Sequence, residues 1–256
     1  MTNMEKIARI LIIAGSDSSG GAGIQADIKA VSALGGHTMT AITAITAQNT
    51  LGVSGVHLIP TDMVIAQMDV VLSDIGADAV KIGMIGSAET AAAVADRLER
   101  LERVPVVFDP VMVATSGSAL ADAATIAAFE RLMRLAAVTT PNLPELAVLG
   151  GEASVRAKTR ALLIKGGHGD GATLTDRLID AEGREHEWRD SRIDTPHTHG
   201  TGCTMASAIA TGLAQGMSLP DAVTRARAYV RAALVAAPGL GQGHGPVGFP
   251  VEPFQP

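Results

Sequence analysis

The sequence predicts a doubly wound α/β fold, a mostly parallel sheet with helices on both faces, from three features. Apolar runs that do not alternate recur along the chain, as expected of strands buried on both faces. Between them lie segments with helical character, two of them rich in Ala, Leu, Glu and Arg, residues that lose little on entering a helix. One stretch near residue 180 alternates apolar and polar residues instead, which marks a hairpin outside the βα rhythm.

Taken in order, Arg9–Ala14 is the first strand, and a glycine-rich turn leads from it to a helix over about 22–34. Thr38–Ala47 precedes a helix over 61–73, Ala77–Ile85 one over 88–101, and Val104–Phe108 one over 122–135. Ala136–Thr140 and Ala161–Ile164 complete the parallel set, with a last helix expected over 204–213. Thr173–Asp194 alternates around Ala181-Glu182-Gly183 and predicts an antiparallel hairpin at one sheet edge. No repeat, linker or low-complexity segment divides the chain, so residues 1–256 are expected to form one domain.

Composition narrows the function. With 20 basic and 26 acidic residues the formal net charge is −6, and no basic cluster suggests a nucleic-acid surface, so the expected partner is a small molecule. One cysteine rules out an internal disulfide, and the first residues show no positively charged leader with a cleavage site, which suits a cytoplasmic protein. No apolar run reaches the roughly 20 residues that span a bilayer.

In open α/β sheets ligands bind beyond the carboxyl ends of the strands, where this chain is polar or glycine-rich almost throughout. The loop after the first strand, AGSDSSGGAGIQAD over 14–27, formally matches a dinucleotide fingerprint, but its first glycine stands too far from the strand end. It also has Walker A glycine spacing, yet Gly21-Ala22 occupy the places of the required Lys-Ser/Thr. Gly200-Thr201-Gly202 allows a tight turn into the last helix, and the N–H groups of Gly202, Cys203 and Thr204 are then first-turn donors suited to an anion. That position favours the thiolate form of Cys203 through the helix dipole; the other reading is a small residue packed under a helix end. His197 and His199 lack a second pair at metal-ligand spacing. Asp109 and Glu145 are carboxylates able to serve Mg²⁺, although Asn142-Leu-Pro-Glu145 is equally a helix capping box. Lys165, before two glycines, is a cation suited to nucleotide phosphates.

These blocks, with ITAITAQNT (42–50), VKIGMIG (80–86), FDPVMVATSG (108–117), TPNLPE (140–145), IKGGH (164–168) and THGTGC (198–203), resemble in order and nearly end to end the hydroxymethylpyrimidine/phosphomethylpyrimidine kinases of thiamine biosynthesis, within the ribokinase superfamily. The resemblance implies a ribokinase-like α/β/α sandwich, ATP and Mg²⁺, a homodimer, and phosphorylation of 4-amino-5-hydroxymethyl-2-methylpyrimidine and of its monophosphate. It implies that Gln48 bonds the pyrimidine edge, with Gly15, Ala22, Asp27, Met84 and Val111 lining the substrate pocket. Gly200, Thr201, Gly202 and Cys203 would form the anion hole, Cys203 standing where most relatives carry an aspartate base. Asn142, Glu145 and Asp109 would order Mg²⁺, Lys165 the ATP phosphates, and Val113–Leu120 a closing flap. Pyridoxal kinase of the same superfamily is the alternative, disfavoured because residues 111–120 contain no cysteine. Between Glu145 and Lys165 only Val155–Ala161 remains for a second crossover helix, so that connection is expected to be truncated or incomplete.

Overall fold

The computed structural model describes residues 7–114, 117–169 and 171–250. Its centre is β1 (Ala8–Asp17), an almost wholly buried strand. After α1 (Gly23–Ala33) the chain pairs β2 (Gly36–Gln48) on one side of β1, and after α2 (Thr61–Asp74) it returns to pair β4 (Ala79–Ile82) on the other. This reversal opens a crevice at the carboxyl ends of β1 and β4, the place where doubly wound sheets bind ligands. From there α3 (Ala88–Leu98), β5 (Val106–Phe108), α4 (Ala123–Leu135), β6 (Val138–Thr139) and β7 (Leu162–Ile164) extend the parallel sheet outward. Two antiparallel strands, β8 (Thr173–Ile179) and β9 (Glu185–Ser191), finish that edge as the alternation predicted. At the opposite edge β3 (Val53–Leu58) adds an antiparallel strand to β2, giving the order β3-β2-β1-β4-β5-β6-β7-β8-β9.

Both faces of the sheet are covered because successive residues of β1 point opposite ways. Leu11 and Ile13 pack with Val64 and Met68 of α2, Val94 of α3 and Phe129 of α4. Ile10 and Ile12 pack instead with Val31 of α1 and with α7 (Thr201–Ala214) and α8 (Leu219–Val235). Phe108 meets Phe129 edge to face at 5.2 Å, a favoured aromatic geometry.

Several expectations need correction. From β4 onward the parallel strands are shorter than their apolar runs, because residues such as Gly83–Ile85 already belong to the loops over the crevice, whereas β1 and β2 extend beyond theirs at both ends. The last helix begins at Thr201, three residues before the predicted start. Neither β3 nor α8 was expected. Val56 and Leu58 of β3 are exposed, so no apolar run betrays an edge strand, whereas α8 carries legible signals in its Ser218 cap and Pro220 in the first turn. The crossover from β6 to β7 does not use Val155–Ala161 as its helix. Two short helices carry it, α5 (Leu143–Val148) and α6 (Gly151–Arg156), joined through Gly150 and Gly151 at φ of 92° and 84°.

Candidate active site

The geometry of the site starts at Gly200, which adopts a left-handed φ of 90° immediately before α7. A Cβ there would stand 1.8 Å from the carbonyl oxygen of Gly21, so only glycine allows the two loops to touch. Thr204 N–H closes the first helical bond to Gly200 O at 2.9 Å, which removes it from the three expected donors. Gly202 and Cys203 provide the first-turn N–H groups at the positive end of the helix. They face a cleft of about 730 Å³.

Cys203 does not behave as helix position alone predicts. Burial pushes its thiol up to about 11, with Asp27 and Asp109 adding to the rise while Lys81 and the Gly23 N–H oppose it. The expectation of a resting thiolate is therefore overturned: desolvation outweighs the dipole, and the group is a thiol near neutral pH. Beneath the cleft, Lys81 Nζ stands 2.9 Å from each carboxylate oxygen of Asp27, both side chains fully buried, and Ser207 donates to the same carboxylate at 2.7 Å. Burial works against the Lys81 charge, but Asp27 outweighs it and holds the lysine protonated. Asp27 is thus no lining residue: it has no exposed surface and is absent from the cleft wall, correcting that expectation.

On one wall, Asp17 accepts from His199 Nε2 at 2.8 Å, from the N–H groups of Ser19, Gly21 and Ala22, and from the Ser19 hydroxyl. Burial alone would raise its pKa, but His199, Ser19 and Ala22 bring it down to about 2. Gln48, at the end of β2, lies beside this pair, with Gly15, Ala22, Met84 and Val111 completing the wall.

On the other wall, Lys165 Nζ contacts Asp109 Oδ1 at 2.6 Å, and Thr140 donates to the same oxygen at 3.0 Å. A Cβ on Gly202 would lie 3.5 Å from both Lys165 Nζ and Asp109 Oδ2, which places this ion pair against the start of α7. Asn142 and Glu145 form the capping box, each side chain accepting from the other's N–H at 2.8 Å. Burial raises the Glu145 carboxyl to about 7, Asp109 adding to the shift and Lys165 opposing it. Among the described residues no three acids, histidines or cysteines form a compact metal cluster. The hard oxygens of Asp109 and Glu145 still fit Mg²⁺, which commonly takes one or two carboxylates and completes its shell with phosphate and water.

All the sequence-predicted residues except Asp27 therefore meet in one cleft. The expected flap is a small hairpin in which Val113 bridges Ala119 and Leu120 N–H donates to Met112 O; Thr115 and Ser116 of its ATSGSA segment lie outside the described residues. Asp17, His199, Thr46 and Lys81 were missed as functional candidates. Lys81 had a signal, since a lysine inside a buried strand requires a carboxylate partner.

Comparison with known proteins agrees with this geometry. The family model described as phosphomethylpyrimidine kinase matches residues 17–248. The chain belongs to that family. A hydroxymethylpyrimidine/phosphomethylpyrimidine kinase of Rhizobium meliloti is 50% identical over 254 residues, covering 93% of this chain and 95% of the relative. The thiamine biosynthesis bifunctional protein ThiED of Geobacter sulfurreducens is 48% identical, but this chain spans only 51% of its length. Among solved structures, the ADP complex of Bacillus subtilis pyridoxal kinase superposes with a TM-score of 0.87 at 32% identity, covering 95% of this chain and 98% of that one. No helix among the described residues is long and apolar enough to cross a membrane.

Proposed function

We propose that the protein transfers the terminal phosphoryl group of ATP to the hydroxymethyl group of 4-amino-5-hydroxymethyl-2-methylpyrimidine, and then to the resulting monophosphate. The observation that carries this reading is the meeting of the α7 start with the Lys165–Asp109 pair on one side of the cleft and Gln48 on the other. Phosphoryl transfer asks the protein mainly to position groups and to stabilise charge on the equatorial oxygens. Gly202 and Cys203 N–H groups do the second, aided by the Lys165 ammonium. Gln48 does the first, since a side-chain amide offers a donor and an acceptor to the 4-amino group and the adjacent ring nitrogen. Asp109 and Glu145, with Asn142 nearby, would hold Mg²⁺, which neutralises phosphate charge when bound. The Cys203 thiol orients the substrate hydroxyl, because at a pKa of about 11 it is a poor resting base. Residues flanking 115–116 close the cleft and exclude water. A homodimer accompanies this proposal through the resemblance, and the single cysteine suits a reducing, cytoplasmic compartment.

Comparing the pyrimidine alcohol and pyridoxal as ATP acceptors tests the reading. Pyridoxal is favoured by the fold of the B. subtilis relative, so a higher kcat/KM with pyridoxal would replace the pyrimidine. Cys203→Ala is expected to lower kcat about 10²-fold, with a much smaller change in KM for the pyrimidine. Unchanged turnover would remove Cys203 from the mechanism.

A further inference from the structure

The mechanism above leaves unused the imidazole of His199, 3% exposed and placed directly before the glycine that opens α7. Its Nε2 lies 2.8 Å from Asp17 Oδ2 and 3.4 Å from the side-chain nitrogen of Gln48. Asp17 is held ionised by its other donors and can only accept, so His199 Nε2 carries a proton and directs it at Asp17. The ring lies against Gly21, where a Cβ would meet its Cδ2 at 2.4 Å, so only glycine leaves it this place. A nitrogen that donates cannot receive a proton from the Gln48 NH₂, so two donors face one another. Oxygen and nitrogen of an amide occupy nearly equivalent positions, and hydrogen-bond partners decide which is which. Turning the amide over resolves the conflict. Its oxygen then stands beside the imidazole, whose single Nε2 proton stays on Asp17, so no second donor opposes that proton, and its nitrogen donates from a place 3.1 Å from Thr46 Oγ1, whose own proton goes to the Ser16 carbonyl at 3.0 Å. The His199, Gln48 and Thr46 donors named here then each have an acceptor.

We infer that His199 is a positioning residue that locks the direction of the Gln48 amide and thereby selects ligands with a ring acceptor directly beside an exocyclic donor. This rests on the kinase reading above. A 4-aminopyrimidine presents that edge. Pyridoxal does not, because a methyl-bearing carbon separates its ring nitrogen from its hydroxyl, and a locked amide satisfies only one of the two. Leaving the other site group unpaired is what makes such discrimination effective.

Steady-state kinetics on His199→Leu, Gln48→Ala and the double variant test the inference. His199→Leu is expected to raise KM for the pyrimidine alcohol about tenfold while kcat stays within about threefold, and to lower the preference over pyridoxal by about the same factor. In the Gln48→Ala background the same change should move KM less than about twofold, because the group it acts through is gone. His199→Gln, whose side-chain nitrogen can stand near the place of Nε2, should recover most of the loss. If His199→Leu raises KM equally in both backgrounds, or lowers kcat and Tm with the preference intact, His199 only braces the loop and the inference is overturned. Should the leucine variant not fold, His199→Asn, too short to reach Asp17, takes its place in the same comparison. Absence of turnover in the wild type would refute the kinase reading instead; direct binding of the pyrimidine alcohol to wild type and variant would still read the tenfold ratio.

Discussion

Asp17 and Glu145 stand on opposite walls of one cleft, each less than a tenth exposed, and hold their protons in opposite ways. Asp17 sits at about 2 and Glu145 at about 7. Burial disfavours the charge of both, so burial does not separate them. What separates them is the supply of donors. Asp17 lies in a turn whose backbone N–H groups converge on it, with His199 added from the far end of the chain. Glu145 accepts one capping N–H and shares the single Lys165 cation with Asp109. The first wall already has its charge matched by donors, which suits the neutral ring that the proposed function places there. The second is short of positive charge, which suits the metal ion that the proposed function places there.

The comparison can be broken at its cations first. Lys81→Met would strand the fully buried Asp27 carboxylate under the cleft, and a loss of about 3–5 kcal/mol in denaturant unfolding is expected. Lys165→Met also strands the buried Asp109 carboxylate, so kcat/KM is compared on the folded fraction, where a loss of about 10²–10³-fold is expected; near-normal activity would exclude Lys165 from the phosphoryl site. Asp17→Asn removes a group whose folded pKa lies below its unfolded value of 3.8. Its stabilisation is present above pH 4 and lost as pH falls towards 2, so the wild type should exceed the variant by about 2 kcal/mol at neutral pH and converge with it in acid. Glu145→Gln sharpens the contrast with the opposite sign. The unfolded carboxyl ionises near 4.5 while the folded one keeps its proton until about 7, so the wild type loses stability as pH rises through that window. The variant should lack this loss and be about 1–2 kcal/mol the more stable of the two at pH 8; parallel Tm curves from pH 5 to 8 would contradict the assignment.

Much of this arrangement was legible beforehand. Unbroken apolar runs revealed the strands of the parallel sheet, and polar strand ends revealed which edge carries chemistry. Gln48, Glu145, Lys165 and the Gly200–Cys203 turn were all found this way or through the family resemblance, and they do meet. The failures are instructive. Asp27 was placed in the pocket through the family resemblance, but its turn of α1 points inward to Lys81. Cys203 was read as a thiolate because position along a helix is a sequence property, whereas desolvation depends on which chain segments close over it. His199 and Asp17, 182 residues apart, share no periodicity that could announce their contact.

The sequence by itself determined the layered α/β architecture, the strand edge that binds ligands and the chemical kinds of group offered there, because hydrophobic period, glycine and cap residues act over a few neighbouring positions. Only the tertiary structure decided which of those groups stay charged, which face the cleft and which way an amide points. Those properties depend on burial and on donors brought from distant parts of the chain, and neither is set until the segments have packed.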